Sequence, residues 1–410
     1  MKLVNSRGRL SKHKLSLWLV ALASVATSLV VIPVAPALAA AATHLAITTQ
    51  PSGAVNDVAL TTQPVVELYD GANTTDATDS TTTVTAAIAT GTGTLSGTTT
   101  VQAVSGVVTF TNLKIVGTAG NFTLSFTSTP ALTGVTSNAF ALAFGAATAS
   151  AITTQPSGAV NGVDFTGQPV IRIVDSGGNT VTNSTVNVVA TIGSGSGGTL
   201  SGTTTVAAIA GVATFTNLRL TGTAGPFTLT FTPTSLTAIT SSSFTLTFGT
   251  ATASAITTQP SGAVSGVDFT GQPVIRIVDA NGNTVTNSTV NVVATIATGT
   301  GGTLSGTTTI AAIAGVATFT NLRLTGTAGP FTLTFTPTSL TAITSSSFTL
   351  TFGTATASAI TTQPSGAVNG VDFTGQPVIR IVDANGNNPD HWLTSEINPV
   401  HSPRRLGRDR

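Results

Sequence analysis

Side chains able to do chemistry are few in this chain, and most of them recur at fixed places. The most suggestive group is Asp279-x-Asn281-x-Asn283, whose alternating oxygen-bearing side chains have the spacing that opens an EF-hand calcium loop. Such a loop also needs glycine at its sixth place and a bidentate glutamate at its twelfth, and Thr284 and Val290 stand there instead. The group therefore reads as a hairpin turn, with a weak interdomain calcium site as the alternative. The four histidines are His13, His44, His391 and His401, and there is no cysteine. Residues 149–356 hold no His, Cys or Lys at all. An acid–base pair or a nucleophilic triad has almost no parts to be built from, since each of repeats 2 and 3 offers only two Asp and two Arg. The expectation is a protein that is not an enzyme, with no catalytic, cofactor-binding or metal-binding residue and no cofactor. Without cysteine there are no disulfides and no thiolate metal sites, so hydrophobic packing must hold the fold.

The charges that remain come in repeating sets. Asp164 with Arg172, Asp268 with Arg276 and Asp372 with Arg380 recur together, and Ala59 and Glu67 replace both members in the first copy. Their joint change predicts a surface ion pair worth about 0 to 1 kcal/mol, structural trim and not a site. Asn183 and Asn287 open Asn-Ser-Thr sequons, read as chance matches to the glycosylation pattern.

These residues ride on a long internal repeat. Thr-Thr-Gln-Pro-Ser-Gly-Ala-Val begins at Thr48, Thr153, Thr257 and Thr361, spacings of 105, 104 and 104 residues. A solenoid unit is far shorter, roughly 20 to 50 residues, whereas an immunoglobulin-type sandwich needs about 100. The expected organisation is a signal peptide over 1–39, repeats at 43–148, 149–252 and 253–356, a truncated fourth repeat at 357–387, and a non-repeat tail at 388–410. Repeats 2 and 3 differ at seven positions: Asn161/Ser265, Ser176/Ala280, Gly177/Asn281, Gly193/Ala297, Ser194/Thr298, Ser196/Thr300 and Val206/Ile310. The linker Gly249–Ala253 is too short to be floppy, which predicts end-to-end stacking.

Within repeat 3 the alternation predicts strands over Ser254–Pro260 and Gln272–Asp279, with an Asn-Gly turn after the second. Val290, Val292, Ala294 and Ile296 then share one face of a third strand. Leu304–Ile313 and Val316–Leu324 follow. In the latter, Ala317 and Phe319 have one parity and Leu322 and Leu324 the other, which predicts a β-bulge near Thr320 and Asn321. Phe331, Leu333 and Phe335, then Phe348, Leu350 and Phe352, alternate with threonines as core residues should. The fold class is all-β: tandem immunoglobulin-like antiparallel sandwiches of about seven strands each.

Only 7% of residues are charged, against roughly 25% in an average domain, so threonine hydroxyls must wet the surface. Residues 40–387 hold six basic and eleven acidic side chains, a net of −5, which gives nucleic acid no footprint. Basic residues precede the apolar run Leu15–Ile32, and Ala37-Leu38-Ala39 has the small-x-small form of a signal-peptidase site. Cleavage after Ala39 is expected; the alternative is a retained N-terminal anchor, and in either case the body crosses a membrane and is secreted or held at the cell surface. After Asn387 the sequence leaves the repeat for 23 residues with seven charges and three prolines, read as the end of a truncated or frame-shifted frame and, alternatively, as a functional tail. A two-strand stub leaves an apolar face and strand edges unsatisfied, so it is expected to be disordered or to associate with another chain.

The run Gln272-Pro273-Val274-Ile275-Arg276-Ile277-Val278-Asp279-Ala280-Asn281-Gly282-Asn283, then Gly302-Thr303-Leu304-Ser305-Gly306 and Gly315-Val316-Ala317-Thr318-Phe319, resembles the bacterial immunoglobulin-like domains of invasin- and intimin-type surface proteins. The resemblance covers residues 43–387. It implies a secreted or surface stalk, often serving adhesion to host or neighbouring cells or matrix. The outer-membrane β-barrel and lectin-like tip of intimin-type adhesins have no counterpart in the sequence. The second reading is a binding module that takes a glycan or protein through Gly-rich loops such as Gly299–Gly302. Against it, the repeats hold no Trp and only Tyr69, while sugar platforms usually need such rings.

Overall fold

A computed structural model describes residues 40–388. The expected leader with its cleavage after Ala39, and the tail from Pro389 onward, lie outside the described residues. The described chain is all-β, built of small antiparallel sheets that recur with the sequence repeat. Buried apolar side chains gather in three separate cores, one for each of repeats 1 to 3.

Repeat 3 serves as the type. Its strands are β1 (Ala253–Thr258), β2 (Val274–Val278), β3 (Asn291–Thr298), β4 (Gly302–Ser305), β5 (Thr309–Ala311), β6 (Val316–Thr318), β7 (Arg323–Gly326), β8 (Gly329–Pro337), β9 (Ile343–Thr344) and β10 (Phe348–Leu350). One sheet has the order β1-β2-β6, the other β5-β3-β8-β9 with β10 also on β8, and β4 pairs β7. The period of two works as expected in β8: Phe331, Leu333 and Phe335 are buried while Thr332, Thr334 and Thr336 turn outward. Phe319 meets Phe335 at 5.5 Å between ring centroids, tying the end of the first sheet to the second. Two more strands complete the described chain, β11 (Ala355–Thr362) and β12 (Val378–Asp383), which pair with each other alone.

Several sequence expectations need correction. The run Leu304–Ile313 is two strands, β4 and β5, and Val316–Leu324 is also two, so the repeat has ten strand segments where about seven were read. No bulge sits at Thr320–Asn321. The parity change there arises because the chain leaves the first sheet after β6, pairs with β4 as β7, and so buries Phe319 and Leu322 without an extra residue in a ladder. The register shifts fall at Ile256/Thr258 and Ile296/Thr298.

The crossing between sheets is held by Gln272, which lies just before β2. Its Nε2 donates to the carbonyls of Phe269 and Leu322 at 3.1 and 3.0 Å, and its Oε1 accepts from the Leu322 N–H at 3.0 Å. The side-chain amide thus stands in for a neighbouring strand where the backbone has none. Gln63 and Gln168 make the same three bonds in repeats 1 and 2.

Candidate functional site

The expected ion pairs are wired differently. Asp164 pairs with Arg219 at 3.3 Å and Asp268 with Arg323 at 3.6 Å, not with Arg172 and Arg276. An isolated bridge sets Asp268 against Arg323 across 55 residues of sequence, while Arg276 lies on β2 with its Nε buried and unpaired. In repeat 1 the same site is filled by Asp57 and Lys114 at 2.7 Å, so the acid moves by two places and the base changes type. Glu67, at the Arg172 place, accepts from the Thr75 hydroxyl at 2.6 Å. All three ion pairs are well exposed, and each is worth at most about 1 kcal/mol.

The Asp279 turn proves to be the best-furnished polar site of the described chain. Asp279 N–H donates to the Asn283 carbonyl at 3.0 Å, Gly282 N–H donates back to the Asp279 carbonyl at 3.1 Å, and Gly282 takes the left-handed φ of 79° that the loop requires. Asp279 Oδ1 accepts from the backbone N–H of Asn281 and Asn283, both at 2.9 Å. Its Oδ2 accepts from Gly249 N–H at 2.8 Å, Asn161 Nδ2 at 2.8 Å and Asn283 Nδ2 at 3.0 Å. Five N–H donors therefore fill a carboxylate that is only 3% exposed. The oxygens that a calcium ion would need already hold protein hydrogens, so this geometry does not support the calcium alternative. Among the described residues, no group of three or more acidic or histidine side chains could hold a metal ion.

What the turn binds is the preceding repeat. Asn161 of repeat 2 donates from Nδ2 to Asn281 Oδ1 at 2.8 Å as well as to Asp279, and its own Oδ1 accepts from Gly222 N–H at 2.9 Å. Asn283 of repeat 3 donates to the Gly222 carbonyl at 2.8 Å and accepts from Ala224 N–H at 2.7 Å. Gly249, in the linker, sits where a Cβ would lie 2.8 Å from the Asn161 carbonyl oxygen, so only glycine lets the linker reach the carboxylate.

The same clasp recurs at the other two junctions with different residues. Between repeats 1 and 2, Asp175 accepts from Gly145 N–H at 2.8 Å, Asn179 bonds the Gly117 carbonyl at 2.8 Å, and Asn56 donates to Ser176 Oγ at 3.3 Å. Between repeat 3 and β11–β12, Asp383 accepts from Gly353 N–H at 2.8 Å, Asn387 bonds the Gly326 carbonyl at 2.8 Å, and Asn385 donates to Ser265 Oγ at 2.9 Å. Three of the seven differences between repeats 2 and 3 thus fall in the clasp: Asn161/Ser265, Ser176/Ala280 and Gly177/Asn281. Comparing aligned repeats could not show this, because the touching residues lie in neighbouring copies, about 120 positions apart.

Burial by itself would raise the pKa of Asp279, but donation from Gly249, Asn283 and Asn161 outweighs it and holds the carboxyl at about 2, well below the ordinary aspartate range. Asp175 and Asp383 are lowered by the same balance of burial against hydrogen bonds.

An apolar plug accompanies the clasp. Phe144 and Phe248 pack against the core of the repeat that follows them. Phe352, expected to belong to its own repeat's core, is 41% exposed, since β11–β12 offers no closed core to receive it. Beside the second junction lies an open groove of about 540 Å³ lined by Val160, Phe248, Val285, Asn287 and Ser288 among others. The loops at Gly299 and Gly195 border smaller grooves of about 390 and 310 Å³ backed by Phe331 and Phe227, whose rings are buried and offer no platform.

No family model and no curated protein matches the chain. Solved structures with a similar arrangement include the Escherichia coli adhesin FdeC, at 17% identity and TM-score 0.32 over 76% of this chain and 98% of that one. The human desmocollin-1 ectodomain gives 9% identity and TM-score 0.31 over 76% and 59%. Domains 4–9 of the surface layer protein SbsC give 16% identity and TM-score 0.23 over 85% and 54%. The chain spans a quarter of a Bacteroides vulgatus β-glycosidase, at 15% identity and TM-score 0.24.

Proposed function

We propose that the chain is a non-enzymatic stalk, secreted or displayed at the cell surface, in which residues 43–148, 149–252 and 253–356 fold as units and hold an adhesive assembly at a distance. The observation that carries this reading is the Asp279 clasp with its counterparts at Asp175 and Asp383. A flexible string of beads needs no buried carboxylate filled by four or five N–H donors at each joint, whereas a stiff spacer does. The expected export leader and the near-absence of charge support placement outside the cell, and contact with host or neighbouring cells or matrix follows from the resemblance to bacterial immunoglobulin-like stalks. With strands of about nine residues rising ~3.4 Å each, three repeats in line reach on the order of 100 Å. Small-angle scattering of residues 40–356 checks this: a maximum dimension near that length is expected, and a distribution of hinge-bent shapes overturns the stiff spacer. Binding of the same piece to cells and matrix, compared with an unrelated sandwich of equal size, tests the adhesive part.

A further inference from the structure

Four asparagines in this chain are followed by glycine: Asn161, Asn281, Asn369 and Asn385. Such a pair carries its own chemistry, because a glycine nitrogen with no side chain to shield it can reach the side-chain amide carbon of the asparagine before it. The clasp between repeats 2 and 3 brings two of the four into contact and treats them differently. Asn161 is buried and its amide is fully engaged: Nδ2 donates to Asp279 and Asn281, and Oδ1 accepts from Gly222 N–H. The nitrogen placed to attack it is also tied down, since Gly162 N–H donates to the Leu220 carbonyl of another segment at 3.0 Å. Asn281 stands exposed at the tip of its turn, and its Nδ2 has no hydrogen-bond partner among the described residues. Gly282 N–H is held only within that turn, by the Asp279 carbonyl at 3.1 Å, and a Cβ built on Gly282 would meet nothing within 4 Å, so water reaches this side.

We propose that Asn281 is a self-modification site of the second clasp, at which deamidation loosens the joint between repeats 2 and 3 with time. The Gly282 nitrogen gives up its proton to water and bonds to Asn281 Cγ, and the Cγ–Nδ2 bond breaks to release ammonia. Water then opens the resulting five-membered imide at either carbonyl, leaving aspartate or isoaspartate. The net change is amide plus water to carboxylate plus ammonium, with nothing oxidised or reduced. Aspartate sets a second carboxylate beside Asp279, because Asn281 Oδ1 and Asp279 Oδ2 each lie 2.8 Å from the same Asn161 nitrogen, and like charges so close oppose one another. Of the cations on the segments joined here, Arg219 is already paired with Asp164 at 3.3 Å, and no ion pair joins Arg276 to the turn among the described residues. Isoaspartate instead routes the main chain through the side chain and displaces the N–H groups of residues 281 and 283 that Asp279 Oδ1 accepts. Junction 1 is exempt: Ser176-Gly177-Gly178 stands where Ala280-Asn281-Gly282 does, and Asn56 is followed by Asp57. Loosening has meaning only for stiff joints, so this consequence rests on the stalk reading, whereas the modification itself does not.

Incubation of the full chain at mildly alkaline pH, with peptide mapping by mass spectrometry at intervals, reads the modification. Asn281 should convert to aspartate and isoaspartate several times faster than Asn161. Equal rates at the two sites, or an Asn281 that keeps its amide while the exposed Asn369 loses its own, would overturn the proposal. Small-angle scattering of fresh and aged chain reads the loosening. A broader spread of bent shapes is expected after ageing, and Asn281→Gly, which gives this turn the glycine of junction 1, should remove most of that change. Conversion at Asn281 with no change of shape counts against the proposal as well. Asn281→Asp supplies one product directly: it should lower the unfolding midpoint near pH ~7 and recover the unaltered value near pH ~3, where the added carboxyl is protonated while Asp279, held at about 2, is still charged. A penalty of the same size at both pH values would remove charge repulsion as the cause. A fresh chain that already bends freely defeats the stalk reading, and peptide mapping still decides the modification.

Discussion

Residues 257–283 and 361–387 have the same sequence except at one place, Ser265 against Asn369, yet one segment lies inside a closed sandwich and the other forms an open hairpin. What is alike in them is local. Both make the Asp-Ala-Asn-Gly-Asn turn with the carboxylate accepting two backbone N–H bonds, and both pair their two strands in the same register. What differs is supplied from elsewhere in sequence. Gln272 reaches Leu322, but Gln376 keeps only its bond to the nearby Phe373 carbonyl. Turn chemistry and strand pairing are thus written within about thirty residues, while the dry interior of the sandwich depends on strands that arrive later.

The most forceful way to break this comparison is to make the same substitution in both segments. Ile275→Ala should cost about 2–5 kcal/mol of repeat 3 stability, because it removes a fully buried side chain and leaves a cavity. Ile379→Ala should cost under about 1 kcal/mol in dilute solution, where its side chain already meets water. Guanidinium unfolding of the two variants reads the difference. Equal costs would mean that the hairpin face is covered within one molecule.

A smaller effect sharpens the part that the segments share. Asp279→Ala and Asp383→Ala each remove the acceptor of a clasp, one with five donors and one with four because Ser265 stands in the Asn161 place, so each should lower the stability of its junction by about 1.5–3 kcal/mol. The pH dependence has a definite sign. The Asp279 carboxyl is held at about 2, below the ordinary aspartate range, so its contribution is present in full above pH ~4 and fades as pH falls through about 2. The amount at stake is about 2 kcal/mol. Unfolding followed from neutral pH downward should show that loss in the unaltered chain and less of it in Asp279→Ala; identical pH profiles would remove the clasp from the account.

Much of this architecture was legible in the residues, and the rest was hidden for identifiable reasons. The alternation of Phe331, Leu333 and Phe335 with threonine names a buried face because a strand has a period of two, and those residues are buried. The Asn-Gly signal named the tight turn after β2 for the same local reason, although that turn closes a single bridge and leads into the other sheet, so it joins no two paired strands. Sheet switching at Thr320–Asn321 was misread as a bulge, since a parity change in sequence is the same whether one strand slips or two strands belong to different sheets. The clasp was missed because its members lie in adjacent copies: a repeat aligned with itself hides what it does to its neighbour. One signal was available, since Asn161/Ser265 and Gly177/Asn281 vary where most of the repeat does not. Phe352 followed the strand parity, but burial of this phenylalanine depends on the next repeat.

The smallest expected effect concerns the ion pair, and it separates spacing in sequence from contact in space. Asp268 and Arg276 are eight residues apart, but a side chain before β2 and one within it are not neighbours across a ladder; the bridge to Arg323 on β7 brings the acid and base together instead. The open hairpin has no counterpart of β7 among the described residues, so Asp372 lacks this route to a partner there. A double-mutant cycle on Asp268→Asn and Arg323→Gln should give a coupling of a few tenths of a kcal/mol and no more than about 1, because both side chains are about half exposed. The cycle on Asp268→Asn and Arg276→Gln should give none. Raising salt to about 1 M shortens the screening length to roughly 3 Å and should erase the first coupling. If the second cycle shows the larger coupling, the wiring described for repeats 2 and 3 is wrong, and eight residues of sequence were the better guide.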